Sequence, residues 1–503
     1  MSQITDMRPH NVKNKLNAAK ETWLKRGAAL MQAKQFAEAC ACYGEAVQKF
    51  PTDSQLLYCQ GVAHHQNKQL LEAIGCYSQA LQHKMDFIEA FENLAEAQTE
   101  LAYFDDALLS IRAAIALNPK KSLSHTRLAR ILVRLGQYDE AIEVATHALS
   151  LDASNAQAYM VRSNAYRGLT LLKHSIQDLR KAIALKPDHA DYVYNLSFDL
   201  LLNQEFDEGW ECYEARFQTK NFLDNVAPMV APRWNGSDSL EGKTILICPE
   251  QGLGDQIQFG RYALILKGMG AKVIMAVAPP LVDIMQSMAA DIFVTSTQQH
   301  PSALPKHDLH IPLMSLPGIF KTDINSIPCA DSYIAPNANI AEKWAARFSD
   351  KKKLQVGITW SGSHMHVNDH NRSMSLAQLQ PLFDLDVDWH VLQTEIREAD
   401  EPLLRSAPLQ DWRPELTSLH ETAGLLQQLD LLITVDTSVA HLSAALGCPT
   451  WIMLPFAPDF RWLLERTDSP WYPTVHLFRQ HKPKDWHSVI QDIVHTLTQG
   501  NAT

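Results

Sequence analysis

A period of 34 residues runs through the first half of the chain and constrains its fold more than any other feature. It is carried by two alanine series, by prolines at twice that spacing and by tyrosines: Ala39, Ala73, Ala107 and Ala141; Ala46, Ala80, Ala114, Ala148 and Ala182; Pro51, Pro119 and Pro187; Tyr43, Tyr77 and Tyr213. Alanine lets two helices approach closely, and proline is tolerated where a helix starts. The period therefore predicts stacked helical units.

This pattern resembles the tetratricopeptide repeat, a helix–turn–helix unit. Five repeats run from about Lys20 to His189, and a degenerate sixth runs to Phe217. We therefore expect an N-terminal extension over residues 1–19 and an all-α solenoid over residues 20–219.

A solenoid of this kind forms a concave groove that often binds a peptide. One register of the groove-lining first helices contains Lys25, Cys59, Asn93, Arg127, Val161 and Asn195. The eukaryotic O-linked N-acetylglucosamine transferases carry similar repeats, in which a ladder of asparagines clamps the peptide backbone. Asn93 and Asn195 match that ladder, and we assign both, with Arg127, to an acceptor groove. The alternative, that the repeats are only a scaffold or a surface for homo-oligomers, stays open.

Charge and apolar patterning limit the partners of the chain. Its 503 residues include 45 Lys and Arg against 56 Asp and Glu, a formal charge of −11. With no long basic run, nucleic acid is excluded as the main partner. The start, MSQITDMRPH, shows no secretory signal, and no apolar run reaches membrane-spanning length. The eight cysteines lack paired metal-ligand spacing, so we expect a cytoplasmic protein with reduced thiols.

The second half changes period. Residues 220–242 are rich in Pro, Gly and Asn, which is typical of a linker. Short apolar runs then alternate with helical stretches, and they predict strands at residues 244–250, 272–277, 291–296, 355–360, 389–394, 431–436 and 449–454. We expect two Rossmann-like units, residues 243–338 and 339–503, with a cleft between them. The predicted fold class is α + α/β.

The sequence QGLGDQ joins the first predicted strand to a helix. Gly252 and Gly254 permit a tight turn near a ligand, and the helix end offers N–H groups to an anion. The third glycine of the dinucleotide fingerprint is absent, which disfavours a nicotinamide-dependent oxidoreductase. Asp255 lies at the carboxyl edge of the sheet, where α/β proteins bind ligands. Its alternative role is that of a helix N-cap.

Two further segments repeat this arrangement in the second unit. DTSVAHLSAALG offers Asp436, Thr437 and Ser438 at a strand end, either for a diphosphate or sugar or as another helix cap. WSGSHMHVNDHNRSMS follows another strand, and the guanidinium of its Arg372 could hold a phosphate. The histidines of that loop have no recognised metal-ligand spacing, so we predict a polar loop and no metal site.

The region from about Gly242 to Gln480 resembles the bacterial ADP-heptose:lipopolysaccharide heptosyltransferases, which are metal-independent inverting enzymes of GT-B fold. The Gly254–Asp255 pair and DTSVAHLSAALGCP carry the resemblance. It implies that Asp255 is the general base, that Asp436 and Thr437 contact the donor sugar and diphosphate, and that Arg372 replaces a phosphate-binding lysine. Glu395 is the nearest candidate for a ribose contact, and Ser438 stands where the family commonly has glycine. The implied donor site comprises Gly252, Gly254, Trp360, Ser361, Gly362, Arg372, Glu395, Asp436, Thr437, Ser438 and His441.

Repeats joined to such a domain are similar to bacterial repeat-containing glycosyltransferases. The resemblance implies transfer of a sugar from a nucleotide-diphospho-sugar, bound mainly by the second unit, to an acceptor hydroxyl, with no other cofactor. Flagellin, another surface protein or a saccharide precursor would fit as acceptor. The alternative is a non-catalytic adaptor with a relic nucleotide-binding domain.

Overall fold

The computed structural model describes residues 9–225, 229–297, 304–366 and 368–499. The chain forms two compact units. We call Met1–Gly168 with Gln177–Pro187 the repeat unit, and Leu169–Ile176 with Asp188–Thr503 the α/β unit. No helix in the described ranges is long and apolar enough to cross a membrane.

Paired helices build the repeat unit, and the same pattern continues into the α/β unit. These helices are α1 (Pro9–Gln32), α2 (Phe36–Lys49), α3 (Ser54–Gln66), α4 (Leu70–His83), α5 (Ile88–Glu100), α6 (Phe104–Leu117), α7 (Ser122–Leu135), α8 (Tyr138–Leu151), α9 (Ala156–Gly168), α10 (Leu172–Leu185), α11 (Ala190–Leu202) and α12 (Phe206–Tyr213). From α2 onward, helices of the same kind start 34 residues apart. Every alanine of the two series is fully buried, which confirms the helical repeats and the reason for their small residues.

The turn between the two helices of each repeat also keeps the period. Its left-handed residue recurs at Lys34, Lys68, Ala102, Gly136, Thr170 and Gln204, with φ between 57° and 75°. Only Gly136 is a glycine, the residue type that adopts this conformation without steric cost.

Two parallel sheets organise the rest of the α/β unit. Their strands are β1 (Thr244–Cys248), β2 (Lys272–Val277), β3 (Phe293–Ser296), β4 (Leu309–Pro312), β5 (Gln355–Ile358), β6 (Asp388–Val391), β7 (Leu409–Asp411), β8 (Leu431–Val435), β9 (Thr450–Leu454) and β10 (Val475–Arg479). The first half of the unit contains the four-stranded sheet, in the order β3-β2-β1-β4. The second half contains the six-stranded sheet, in the order β10-β9-β8-β5-β6-β7. All pairs are parallel, which confirms the α + α/β class.

Helices flank these strands at short intervals along the chain. They are α13 (Lys220–Asn225), α14 (Leu253–Gly260), α15 (Tyr262–Gly268), α16 (Val282–Gln286), α17 (Leu316–Ile319), α18 (Ala338–Arg347), α19 (Asp369–Arg372), α20 (Glu401–Ser406), α21 (Leu419–Leu426), α22 (Ser438–Ala445) and α23 (Trp486–Thr498). Each predicted strand overlaps an observed one. Strands β4, β7 and β10 were not predicted.

The last helix pair, α11 and α12, packs into the α/β unit. The indole N–H of Trp210 donates to the Thr322 carbonyl at 2.8 Å. Arg216, just after α12, pairs with the Glu250 carboxylate at 2.8 Å and donates to the Ser315 hydroxyl at 2.7 Å. The predicted repeat region 20–219 therefore spans two compact units.

Part of the predicted linker, residues 220–242, is packed rather than free. Trp234 is fully buried, and its backbone N–H donates to the His310 carbonyl in β4 at 2.9 Å. A buried tryptophan bonded to a strand holds this segment against the first half. The part of this segment around Trp234 is therefore packed backbone without regular secondary structure.

Candidate functional site

The strand order of the second half identifies where a ligand would bind. The chain runs outward from β5 through β6 to β7, and then returns to β8 and runs outward through β9 to β10. This is the order of dinucleotide-binding sheets, which bind ligands at the carboxyl ends of the strands where the order reverses. Here the reversal lies between β5 and β8, the strands that precede Ser361 and Asp436.

Arg372 spans this reversal point. Its Nη1 donates to the Asp436 backbone carbonyl at 3.0 Å. The guanidinium lies against Gly362, where an added Cβ would be 2.6 Å from Nη2, so a larger residue there would displace the guanidinium. Among the described residues its buried Nε has no hydrogen-bond partner. An anion bound at this point would accept a hydrogen bond from this Nε–H group.

Helix α22 begins directly after β8, beside Arg372. Thr437 is its N-cap residue, but the side chain makes no capping hydrogen bond. The Thr437 hydroxyl lies 3.3 Å from that of Thr434 instead. By contrast, Asn337 and Ser418 cap helices of the same unit with their side chains. The first turn of α22 therefore keeps N–H groups and a positive dipole end available to an anion.

Half-buried Asp436 and buried His441 lie behind this turn, and their pKa values shift in opposite directions. Burial, reinforced by Asp459, raises the pKa of Asp436 to about 6, while Arg372 and Arg461 oppose the rise. Burial and the surrounding arginines lower the pKa of His441 to about 3. His441 is therefore neutral, its Nδ1 3.0 Å from the Tyr472 hydroxyl and its ring stacked on Trp462. The 3.8 Å approach of its Nε2 to Asp436 is not an ion pair.

Asp255 lies in the first turn of α14, in the first half of the unit. Its Oδ2 accepts a hydrogen bond from the Gly252 N–H at 2.8 Å, so it closes the helix start from the third helical position. Its Oδ1 pairs with Arg461 of the second half, and the side chain is 19% exposed. The N-cap residue of α14 is therefore Gly252 and not Asp255, whose one carboxylate oxygen accepts from the N-cap N–H while the other makes a long-range ion pair.

The two halves of the α/β unit meet at this place. Gly254 packs against His441, and an added Cβ would lie 2.6 Å from the imidazole. Gln251, which precedes Gly252, has φ of 59°, a left-handed conformation that is costly for any residue other than glycine. Its amide donates to the Tyr213 hydroxyl. The β1–α14 loop is therefore held in a strained conformation between α12 and α22.

Three other residues predicted to bind the donor are Trp360, Ser361 and Glu395. Trp360 is fully buried, and its indole N–H donates to Asp400 at 2.9 Å, so its ring packs in the core and does not face a ligand. The backbone N–H groups of Trp360 and Ser361 both donate to the Gln393 side chain at 2.9 Å, and Gln393 also bonds the Ser361 hydroxyl. Glu395 is exposed in the loop after β6, next to β5 in the sheet.

Three residues near Asp255 and Asp436 were not selected from the sequence. Asp459 and Arg461 follow β9 and come from LPFAPDFRWLLERTDSPWYP, and His366 lies in the loop after β5. The sequence signal that could have identified Asp459 and Arg461 is an acid and an arginine two residues apart, at the carboxyl edge of the sheet. No group of three His, Cys, Asp or Glu side chains suited to a metal ion occurs in the described ranges.

In the repeat unit, two of the predicted groove residues form one hydrogen-bonded chain. The Asn93 amide donates to the Tyr58 hydroxyl at 3.0 Å, and Arg127 donates to the Asn93 side-chain oxygen at 3.3 Å. These contacts join α3, α5 and α7. Asn195 instead belongs to the α/β unit and donates to the Asp191 carbonyl of its own helix at 2.7 Å.

Comparisons with known proteins match different parts of the chain to different families. Residues 20–53, 111–143 and 156–189 match tetratricopeptide-repeat families, and residues 414–452 match glycosyltransferase family 9 (heptosyltransferase). The last match covers β8 and α22, with Asp436 and Thr437.

Three similar proteins share between 19% and 28% of their residues with this chain over the matched regions. Protein FlbA of Caulobacter vibrioides is 23% identical over 428 residues, which are 78% of this chain and 70% of FlbA. Sperm-associated antigen 1 of Mus musculus is 28% identical over 101 residues, 20% of this chain and 10% of that protein. A solved thermophilic TPR protein of Thermus thermophilus is 19% identical, with a TM-score of 0.33, over 36% of this chain and 99% of its own. The chain therefore combines tetratricopeptide repeats with a glycosyltransferase-like region.

Proposed function

We propose that this protein is an inverting, metal-independent glycosyltransferase of GT-B type that uses a nucleotide-diphospho-sugar. The observation that carries the proposal is the cluster at the strand reversal of the second half. There Arg372, Asp436 and the uncapped start of α22 lie together, and α14 of the first half brings Asp255 against the same place. The family match over residues 414–452 supports it.

The second half, residues 339–503, is the donor side in this proposal. The diphosphate would accept hydrogen bonds from Arg372 and from the first-turn N–H groups of α22, between Gly362 and Ser438. This positive charge stabilises the departing diphosphate, a role that a metal ion fills in many transferases. Glu395 lies on the β6 side of the reversal point, where a ribose hydroxyl would be in reach.

The first half, residues 243–338, is the acceptor side and supplies the base. Asp255 accepts the proton of the acceptor hydroxyl while that oxygen attacks the anomeric carbon from the face opposite the diphosphate. The new glycosidic C–O bond forms as the bond to the diphosphate breaks, and its electron pair leaves with the phosphate oxygen. The configuration at the anomeric carbon is therefore inverted.

The acceptor is proposed to be a protein hydroxyl, as on flagellin, recruited by the repeat unit. The Tyr58–Asn93–Arg127 chain of hydrogen bonds holds polar groups in line along three successive first helices. A backbone in extended conformation could exchange hydrogen bonds with such a row.

Ligand-dependent thermal unfolding tests the donor site. Titration with UDP-, GDP-, ADP- and CMP-sugars is expected to raise the unfolding temperature for one nucleotide series, since a ligand at 100 times its Kd adds about 2.7 kcal/mol. Arg372→Gln should abolish that shift, whereas Arg405→Gln, which removes a largely exposed arginine, should retain it. If no series shifts the wild type and none is turned over with acceptor present, the proposal fails and the adaptor alternative is favoured.

A further inference from the structure

An arginine outside the predicted site joins the two halves of the α/β unit. Arg461 lies in the turn after β9, and its side chain is 7% exposed. Its Nη2 pairs with Asp255 of the first half, and its Nη1 donates to Asp459 at 2.6 Å. One cation is thus shared by two carboxylates 204 residues apart in the sequence, one from each half of the unit.

Aromatic rings remove this arginine from water. The guanidinium carbon lies 5.3 Å from the centre of the Phe259 ring and 4.5 Å from that of Phe460. Phe460 packs in turn on Trp210 of α12, with ring centres 5.8 Å apart. Charges interact more strongly in such surroundings than in bulk water, so Arg461 holds the carboxylates it contacts in a defined orientation.

We propose that Arg461 is a positioning residue for Asp255 in the sugar transfer, an inference that rests on the proposed function. The Gly252 N–H holds one carboxylate oxygen of Asp255 and Arg461 holds the other, so the plane of the carboxylate is set by both halves of the unit. A carboxylate accepts about four hydrogen bonds, so each oxygen keeps a site for the acceptor hydroxyl. Without Arg461 the carboxylate can rotate away from that hydroxyl.

Because Arg461 belongs to the second half, the half that binds the donor also aligns the base, Asp255. Asp459 and Arg461 follow β9 of the second half, and the same Arg461 contributes to the charge surroundings of Asp436. Asp459, His366 and Tyr213 are further titratable groups whose charges couple to this pair. Correct orientation of Asp255 therefore requires that the two halves are in contact.

Steady-state kinetics of the full chain, with the donor found by thermal unfolding, tests the role. Arg461→Gln should lower kcat about 10- to 100-fold, with the donor KM changed by less than about twofold. The acid limb of the pH–rate profile should move to higher pH, because removing a cation beside a carboxylate favours its protonated form. Arg461→Lys should restore part of kcat. Arg413→Gln, which removes an ion-paired arginine just after the edge strand β7, should change none of these quantities.

A purely structural arginine would give a different result. If Arg461→Gln and Arg461→Lys fold and leave kcat and the acid limb unchanged, or lower activity without moving the acid limb, the positioning role is wrong. Asp459→Asn provides a second variant if Arg461→Gln does not fold, because it loosens Arg461 without removing it. It should lower kcat in the same direction, and an unchanged kcat would contradict the proposal.

A double-mutant cycle separates this inference from the proposed function. The urea midpoint of unfolding should fall less for Asp255→Ala in the Arg461→Gln background than in the wild type, since the pair is already lost. Additive shifts would show that the pair does not form in solution and would overturn the inference. Wild-type protein that transfers no sugar, with coupling present in the cycle, would overturn the proposed function and leave the ion pair a structural contact.

Discussion

Asp255 is held by two donors and is still the best placed proton acceptor in the proposed site. Asp255→Asn keeps the size and one oxygen acceptor, and Arg461 keeps Asp459 as a partner, so the fold should survive. The amide cannot accept the proton of the acceptor hydroxyl, and transfer should fall about 100-fold or more. Turnover with the identified donor measures this loss. Asp291→Asn, at an exposed aspartate of the same half, is the matched control, and near wild-type turnover by Asp255→Asn would contradict the role.

His390 makes folding of the α/β unit dependent on pH. Its Nδ1 accepts from the Trp412 indole and its Nε2 lies 2.9 Å from the Gln355 side-chain oxygen, so the ring is neutral. Burial lowers the pKa of His390 to about 4, whereas an unfolded histidine has a pKa near 6.5. As pH falls through this window the unfolded state binds a proton that the folded state does not. His390 should therefore lower the free energy of unfolding by about 3 kcal/mol between pH 6.5 and pH 4.

Chemical unfolding across this pH range measures the effect. The free energy of unfolding should depend less steeply on pH in His390→Gln, by close to one bound proton near pH 5, because glutamine does not titrate. His487→Gln, at an exposed histidine, should leave the slope as in the wild type. Equal slopes for His390→Gln and wild type would show that His390 is not held neutral.

At the scale of elements, the repeat turns carry strain at a repeated position. Ala102 and Gly136 occupy the same left-handed turn position with φ of 60° and 75°. Since this conformation costs a non-glycine residue about 1 kcal/mol, Ala102→Gly should stabilise the repeat unit and Gly136→Ala should destabilise it by about that amount. Chemical unfolding gives both values. Ala95→Gly, in the buried interior of α5, should destabilise; if Ala102→Gly destabilises equally, turn strain is not the cause.

The helices and strands that were predicted correctly are those whose sequence pattern is local. The two alanine series and the apolar runs of the predicted strands β1, β2, β3, β5, β6, β8 and β9 mark buried faces directly, because small residues and continuous apolar stretches have few other stable placements. Strand β7 has three residues, and β4 includes His310 and ends at Pro312, so neither shows a clear apolar run. These strands form because a neighbouring strand supplies their hydrogen bonds.

At the scale of the molecule, the boundary between compact units predicts which truncation folds. A chain starting at Leu169 keeps the complete α/β unit, with α11 and α12. A chain starting at Lys220 loses buried Trp210 and Tyr213 and leaves the Glu250 carboxylate without Arg216. An unpaired buried charge costs several kcal/mol, so only the longer fragment should show native near-ultraviolet dichroism and elute as a discrete species in gel filtration.

Equal behaviour of the two fragments would contradict this boundary. The longer fragment also tests the repeats as a recruitment surface. It should retain donor binding and lose transfer to a protein acceptor, and unaltered transfer would show that the repeat unit does not deliver the acceptor.

The sequence by itself determined the helical repeats, the α + α/β class and the two strand–helix junctions at Asp255 and Asp436. These follow from spacings within a few tens of residues, where side-chain size and apolar pattern decide local packing. The tertiary structure alone decided that α11 and α12 join the α/β unit, that Trp360 packs inward, and that Arg461 pairs with Asp255 across 206 residues. Such contacts depend on how separate elements stack in space, and no local periodicity encodes that stacking.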